Sequence, residues 1–367
     1  MKMKSFISKN IFTPLGVLFI CLIVCTPINA KNFDLSKPKS SKIMGYEVLL
    51  ERANKLYRAE KFTQAKLLYR KAEKRGLDPQ IATMNIGKCF YRVQDFASAA
   101  AAFRKGVRLT GYQYSPALFN LAATLYRLGE YGESISIYHQ GLALEPDNFG
   151  AWLYLAEAYQ KTGDITGVQR ALEKARALDA TDAGVVYQLA EVHVGLKEYE
   201  QAILFVREAY AMMPKEVDFM FYIGDLYRVQ KKWMDAASIY RQGLAQSGDR
   251  VEVLYKLADV LVEDKKPLLA VGYLQKSVVI KPDFIDGWIF LGNLSQDLKW
   301  GERAELAYVK AAELGSDEGI QGLRNIAYDL ELKKNSERAI EVLKNALILS
   351  PGHLEVTEDL KRIQENQ

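Results

Sequence analysis

FGAWLYLAEAYQKTGDITGVQRALEKARALDATD, residues 149–182, contains two segments of helical length that are separated at Gly163. Apolar residues recur at three- and four-residue steps in both segments, which is the period of one buried face of an α-helix. Because glycine commonly ends a helix, the stretch is predicted to form two helices joined by a short turn. Residues 217–250 repeat the same pattern.

A column of small residues extends this pattern over most of the chain. An alanine or glycine recurs at steps of 34 or 35 residues: Ala53, Gly87, Ala122, Ala156, Ala190, Gly224, Ala258, Gly292 and Ala327. Ala and Gly together make up roughly one residue in six, so nine matches in a row arise by chance on the order of once in ten million. Two helices approach closely only where neither carries a bulky side chain at the crossing, so the column predicts nine tandem helix pairs.

This pattern resembles the tetratricopeptide repeat, whose 34-residue signature is a bulky residue, Leu-Gly/Ala, an aromatic, Ala, an aromatic, Ala and Pro. Residues 149–182 and 217–250 fit it closely. The resemblance implies an all-α, right-handed superhelical solenoid over residues 46–352, with repeats starting near 46, 80, 115, 149, 183, 217, 251, 285 and 320. Residues 353–367 are predicted to form a capping helix that covers the last repeat with Leu354, Leu360 and Ile363, as an open-ended array requires.

The N-terminus has the composition of a secretory signal. Lys2, Lys4 and Lys9 precede an apolar run at 11–25, and a small residue, Ala30, follows, which predicts a signal peptide over 1–30. An uncleaved signal anchor is the alternative, and both interpretations place the rest of the chain across the membrane. We therefore expect a periplasmic or envelope-associated protein, or one anchored in the inner membrane and facing the periplasm. Residues 31–45, rich in Lys and Ser, are predicted to be a flexible linker.

The charge balance argues against a nucleic-acid partner. Removing Lys2, Lys4 and Lys9 with the signal leaves 46 basic residues against 45 acidic ones. A nucleic-acid-binding protein would show a clear basic excess. Cys89 is then the only cysteine left, so no internal disulfide is expected.

Residues suited to catalysis are scattered. Of the three histidines, His193 falls at a core position, His139 on a second helix and His353 in the terminal loop, and no two are spaced to share a metal. Cys89 is also expected to be buried. The sequence holds no phosphate-binding glycine loop and no nucleophile motif. We expect no enzyme activity, no metal and no cofactor.

A candidate binding site comes from the resemblance, which implies that one face of the first helices lines a concave groove for a protein or peptide segment. The second, fifth, ninth and twelfth residues of each repeat lie on this side, with the sixth and thirteenth at its edge, and we call it the groove face. Its candidate residues are Asn54, Arg58, Asn85, Lys88, Arg92, Phe119, Asn120, Arg127, Tyr154, Glu157, Tyr187, Glu191, Phe221, Tyr222, Asp225, Tyr255 and Asp259.

Two properties of these residues suggest how a ligand would bind. Tyrosine and phenylalanine rings offer large contact area at low entropic cost. Basic residues dominate the first three repeats and acidic residues dominate repeats four to eight, which would orient a charge-segregated partner. Asn54 and Asn85 match the family's carboxylate clamp for chaperone C-termini, but Leu50, Pro116 and Asn120 replace its three basic residues. We therefore reject that function.

The favoured interpretation is a non-enzymatic scaffold that binds a partner protein segment, for example within a secretion, polysaccharide-export or envelope-assembly complex. The alternative is a glycan-binding module whose groove aromatics stack on sugar rings. Membrane contact is expected only through an uncleaved signal anchor.

Overall fold

A computed structural model describes residues 45–365 of the chain. The predicted signal peptide and, apart from Gly45, the predicted linker lie outside these described residues. Nineteen α-helices and no strand occur between residues 45 and 365, so the all-α prediction is confirmed. The helices are α1 Tyr46–Arg58, α2 Phe62–Lys74, α3 Pro79–Arg92, α4 Phe96–Leu109, α5 Ser115–Leu128, α6 Tyr131–Leu144, α7 Phe149–Thr162, α8 Ile165–Leu178, α9 Ala183–Gly195, α10 Tyr199–Met212, α11 Asp218–Val229, α12 Trp233–Ser247, α13 Val251–Glu263, α14 Pro267–Ile280, α15 Ile285–Asp297, α16 Gly301–Glu313, α17 Asp317–Leu332, α18 Ser336–Leu349 and α19 Leu354–Glu365.

The chain divides into two compact units between Phe205 and Val206, inside α10. Unit 1 holds the helices up to that point, and unit 2 holds the rest. Within each unit, consecutive helices pack as hairpins and each hairpin packs on the next. Among the described residues, no helix combines the length and the apolar character needed to cross a membrane.

Short polar residues and glycines set the helix ends. The Asn148 side chain accepts a hydrogen bond from the Ala151 backbone N–H at 2.9 Å, which caps the start of α7. Asp164 caps α8 in the same way through the Gly167 N–H at 2.9 Å. Between these two helices Gly163 takes a left-handed conformation with φ +76°, which a side chain would strain. These local signals explain why residues 149–182 fold as two helices.

In unit 1 the predicted column of small residues lies where the two helices of a hairpin meet. Ala53, Ala122, Ala156 and Ala190 are all buried. A larger residue does not fit at Gly87, because a Cβ there would lie 2.6 Å from Cε1 of Phe103 on α4. The large ring therefore fills the space that the small residue leaves.

Unit 2 is built on the same contact. A Cβ on Gly224 would lie 2.5 Å from the Tyr240 ring, and one on Gly292 would lie 2.6 Å from the Tyr308 ring. At the end of the unit, Val356 and Ile363 on α19 are buried against the last hairpin. The expectation that Leu354 covers this hairpin is wrong, because its side chain is 77% exposed at the start of α19.

Candidate protein-binding face

Several candidate residues in the first three repeats lie inside unit 1 and are not on an accessible surface. Each of them is less than a tenth exposed: Asn54, Asn85, Lys88, Phe119 and Asn120. The prediction that these side chains are accessible is wrong for this structure, while their contact with a ligand stays a prediction.

Phe119 is buried because the partner helix carries a glycine opposite it. The ring packs over Gly141 of α6, where a Cβ would lie 2.4 Å from Cε1 of Phe119. It also stacks on Tyr138 with the ring centroids 6.3 Å apart. Phe119 is therefore a core residue of its own hairpin.

Two of the three buried asparagines, Asn54 and Asn120, differ in their hydrogen bonds. Asn54 Oδ1 accepts a hydrogen bond from the Tyr69 hydroxyl at 2.7 Å. Neither the amide nitrogen nor the oxygen of Asn120 has a hydrogen-bond partner among the described residues, although the side chain is fully buried. Asn120 is therefore enclosed by the hairpin and offers no accessible amide to a ligand.

The three candidate arginines of the first three repeats, Arg58, Arg92 and Arg127, lie at the edge of the groove face and stay accessible. Arg58 and Arg127 are exposed, and Arg92 is half-buried. The Arg92 and Arg127 guanidinium groups each lie 4.9 Å from the centroid of a phenylalanine ring of the preceding repeat, Phe62 and Phe96 respectively. These cation–π contacts hold the two arginines between neighbouring hairpins.

In the fourth repeat, Tyr154 and Glu157 lie half-buried one turn apart on α7. The Tyr154 ring stacks on the buried Tyr138 ring with centroids 6.3 Å apart and planes at 18°. Burial raises the pKa of the Glu157 carboxyl, and Lys161 on the next turn only partly opposes this effect. This part of the face therefore presents a partly desolvated acid beside a fixed aromatic ring.

The fifth repeat presents a similar pair, Tyr187 and Glu191, both half-buried on α9. Burial raises the pKa of the Tyr187 phenol, and the Glu191 carboxylate, to which the phenol hydrogen-bonds, raises it further. Repeats four and five of unit 1 thus offer two half-buried tyrosines and two carboxylates on first helices.

In unit 2 the Phe221 ring is buried, so its prediction as an accessible groove aromatic is also wrong. The cause is again a glycine in the partner helix, because a Cβ on Gly243 would lie 2.4 Å from Cε1 of Phe221. The Arg250 guanidinium covers the ring at 5.1 Å from its centroid. The next residue, Tyr222, is half-buried.

The acidic candidates of unit 2 are paired with basic residues of a neighbouring repeat. Asp225 accepts hydrogen bonds from the Tyr240 hydroxyl at 2.6 Å and from Lys256 Nζ at 2.7 Å. Asp259 accepts one from Arg228 at 3.1 Å. These two carboxylates tie neighbouring hairpins together, and they contribute less negative charge to the surface than the sequence suggested.

Tyr255 is half-buried on α13 and packs edge-on against two rings, those of Phe284 at 5.5 Å and Phe290 at 5.3 Å. Burial raises the pKa of its phenol, and Asp286 and Asp259 raise it further. The ring is held at the junction of two hairpins of unit 2.

A small pocket of about 160 Å³ lies between α17 and α19 of unit 2 and was not predicted. Arg324, Tyr328, Asp359 and Arg362 are among its lining residues. Arg324 donates to Asp359 at 2.9 Å, and Arg362 donates to Glu331 at 2.7 Å. Because both guanidinium groups are already neutralised and the volume is below that of typical ligand sites, the pocket favours no particular ligand.

The three histidines lie on different helices or loops, and each contacts a neighbouring side chain. His353 lies 3.3 Å from the Asp317 carboxylate. His193 is buried, pairs with Glu198 at 2.6 Å and stacks on Phe205 at 5.2 Å. His139 contacts the Tyr159 hydroxyl at 2.6 Å on another part of unit 1. Within residues 45–365, no three His, Cys, Asp or Glu side chains come together to hold a metal ion.

These observations define an all-α array of tandem helical hairpins with a first-helix face of half-buried tyrosines and carboxylates. Residues 50–114 and 221–283 match one model of the tetratricopeptide repeat family, and residues 115–158 match a second. The chain is a member of the tetratricopeptide-repeat superfamily, whose repeats serve protein–protein interaction.

Similar proteins share the repeats over part of their length. The chain is 24% identical over 212 residues to the anaphase-promoting complex subunit cut9 of Schizosaccharomyces pombe, covering 56% of this chain and 31% of that protein. It is 22% identical over 272 residues to the human protein O-mannosyl-transferase TMTC3, covering 62% of this chain and 30% of that protein. The chain thus matches about a third of the length of each relative.

The fold is shared with a solved structure. The C-terminal part of a TPR repeat-containing protein from Cytophaga hutchinsonii superposes with a TM-score of 0.52 at 18% identity, covering 66% of this chain and 99% of that one. The likeness supports a tandem array of tetratricopeptide hairpins.

Proposed function

We propose that the protein is a non-enzymatic scaffold of the bacterial periplasm or cell envelope that holds an extended segment of a partner protein on its groove face. The observation that carries this proposal is the set Tyr154, Glu157, Tyr187 and Glu191 in repeats four and five of unit 1. Half-buried tyrosines held by packing contribute strongly to interfaces because little side-chain entropy remains to be lost on binding. Location in the envelope rests on the signal-like sequence of residues 1–30.

A basic or hydrogen-bond-donating segment fits this set best. The carboxylates of Glu157 and Glu191 can accept backbone N–H groups or pair with lysine or arginine side chains of the partner. Partial desolvation strengthens such pairs relative to exposed ones. Several shallow contacts along successive repeats would then sum to useful affinity without a deep pocket.

Glycan binding is the weaker candidate, because the structure buries two of the rings on which it depends, Phe119 and Phe221. We assign no residue of the chain a catalytic role. The name of TMTC3 describes a transferase, but the matching stretch is 30% of that protein and carries no such inference for this chain.

The proposal is tested with a photo-crosslinking amino acid placed at Tyr154 in one strain and at Tyr222 in another, in living cells. Matched control positions are Leu204 in unit 1 and Leu306 in unit 2, which are 58% and 57% exposed and lie on second helices. We expect one recurrent protein at the groove positions, and a purified segment of it should bind the full chain in solution.

Two outcomes would count against this function. Capture at Leu204 and Leu306 that equals capture at the groove positions would remove the support for the groove face. Capture of a polysaccharide at Tyr154, with binding that does not depend on salt, would favour the glycan-binding alternative.

A further inference from the structure

Charge is distributed very unevenly within unit 1. Residues 45–110 contain 14 Lys and Arg against 6 Asp and Glu, a difference of +8, whereas residues 111–205 contain 6 against 12, a difference of −6. The near-neutral total of the chain conceals this asymmetry. A local excess of this size creates a field that attracts anionic partners.

The excess is concentrated on the outward side of two second helices. On α2, Leu67, Arg70, Lys71 and Lys74 are exposed at the three- and four-residue spacing of one helix face. On α4, Lys105 and Arg108 are exposed in the same way. We call these six residues the basic face.

The two helices present these side chains next to each other. Lys105 Nζ of α4 lies 3.8 Å from the Glu73 carboxylate of α2, which is a loose ion pair. Among residues 45–365, no acidic side chain forms an ion pair with Arg70, Lys71, Lys74 or Arg108. Lys71, Lys74 and Arg108 also lie near helix C-termini, where the helix dipole favours them, but the dipole does not account for Arg70 or Lys105.

The large apolar side chains exposed within residues 45–110 are aliphatic, and the 49% exposed Tyr112 follows in the loop after α4. Leu67 is 51% exposed one turn before Arg70 on α2, and the other large apolar side chains exposed within residues 45–110 are Val48, Val93 and Leu109. Proteins that bind single-stranded nucleic acid stack bases on aromatic rings. Basic residues combined with a protruding leucine are instead typical of helices that lie on a lipid surface.

We propose that the basic face binds an anionic lipid bilayer surface, with the basic side chains at the phosphate groups and Leu67 inserted between headgroups. Clusters of four to eight Lys and Arg residues are sufficient for such binding. The basic face is on second helices and the groove face is on first helices. The two faces share no residue, and this inference does not depend on the proposed function.

The test compares sedimentation of the full chain with vesicles of phosphatidylcholine alone and with vesicles that contain phosphatidylglycerol as well. The variant Arg70→Glu, Lys71→Glu, Lys74→Glu reverses three charges of the basic face. The matched control Lys333→Glu, Lys344→Glu, Lys361→Glu makes the same charge change at exposed positions of unit 2. Circular dichroism establishes that both variants keep their helices.

We expect the unit 1 variant to bind phosphatidylglycerol vesicles at least about tenfold more weakly than the control, since each basic residue at an anionic surface contributes roughly a factor of five. Binding should also weaken as salt is added. Equal binding by the two variants would overturn the proposal. Tighter binding to DNA than to vesicles at the same salt would also overturn it.

Discussion

The Tyr240 hydroxyl donates a hydrogen bond to Asp225 Oδ1 at 2.6 Å and so links the second helix of a hairpin to the groove face of its first helix. The same link occurs between Tyr308 and Asn293 in unit 2, at 2.7 Å, with the same separation of 15 residues. In unit 1, Tyr69 and Asn54 repeat it. The repeat therefore positions the ninth residue of its groove face through a tyrosine of the core.

Replacing Tyr240 by Phe should lower the free energy of unfolding by about 1.5–3 kcal/mol, the range for a hydrogen bond to a charged group. Lys256 and Arg228 remain beside Asp225, so the hairpin should still fold. Urea unfolding followed by circular dichroism measures the change. Tyr273→Phe, on a half-buried tyrosine of the same unit, is the control, and equal effects of the two variants would contradict the role of the bond.

Gly141→Ala should destabilise unit 1, because the new Cβ would lie 2.4 Å from the Phe119 ring. Overpacking of this kind typically costs about 1–3 kcal/mol. Gly132→Ala, on the same helix, meets open space and should be neutral or stabilising by up to about 1 kcal/mol through helix propensity. Melting temperatures that fall equally for both variants would show that Phe119 is not packed as described.

Glu157→Gln should make the protein more stable at neutral pH. Burial raises the folded-state pKa of Glu157 above its unfolded value, so protonation favours the folded state. Stability is therefore lost as the pH rises from the unfolded pKa through the folded pKa, and the neutral glutamine avoids this loss.

Thermal unfolding from pH 4 to pH 8 checks this dependence. Glu51→Gln, on an exposed glutamate of α1, should leave the pH profile unchanged. A Glu157→Gln profile parallel to that of the unchanged protein would contradict the assignment.

Cys89 should resist alkylation in the folded protein. Burial raises the pKa of its thiol to about 12, so the reactive thiolate is scarce at pH 8. Iodoacetamide labelling of a chain carrying Cys21→Ser and Cys25→Ser should be slow in buffer and fast in urea. Rapid labelling in buffer would mean that α3 opens readily.

Much of the fold follows from the period of the sequence. The small-residue column identified the helix crossings because only small residues fit there. The Phe103 ring leaves no space for a side chain at Gly87, and Ala122 is fully buried. Local caps such as Asn148 added the helix boundaries. Both signals act within one repeat, which is why a single sequence is enough to find them.

The groove face was harder to predict because accessibility depends on the partner helix. Phe119 and Phe221 are buried where that helix has Gly141 or Gly243, 22 residues later in the chain. Tyr255 has Ser277 at the same offset and stays half-buried. A glycine at this offset is a signal in the sequence that could have separated core rings from accessible ones.

Counts of charged residues also gave a poor prediction of the surface charge. The pairing of Asp225 with Lys256 depends on the stacking of two repeats, and the period alone does not show it. The basic excess in residues 45–110 is present in the sequence, but an overall charge near zero hides it.

The most direct test of the account is the dissociation constant of the partner segment captured at residue 154, measured with the full chain and with the variant Tyr154→Ala, Tyr187→Ala. The control is Tyr112→Ala, which removes a 49% exposed tyrosine of a loop. We expect the double variant to bind at least about tenfold more weakly, with helicity retained, because interface tyrosines commonly contribute more than 1 kcal/mol each. Unchanged affinity in a folded double variant would contradict the central claim that the groove face holds the partner.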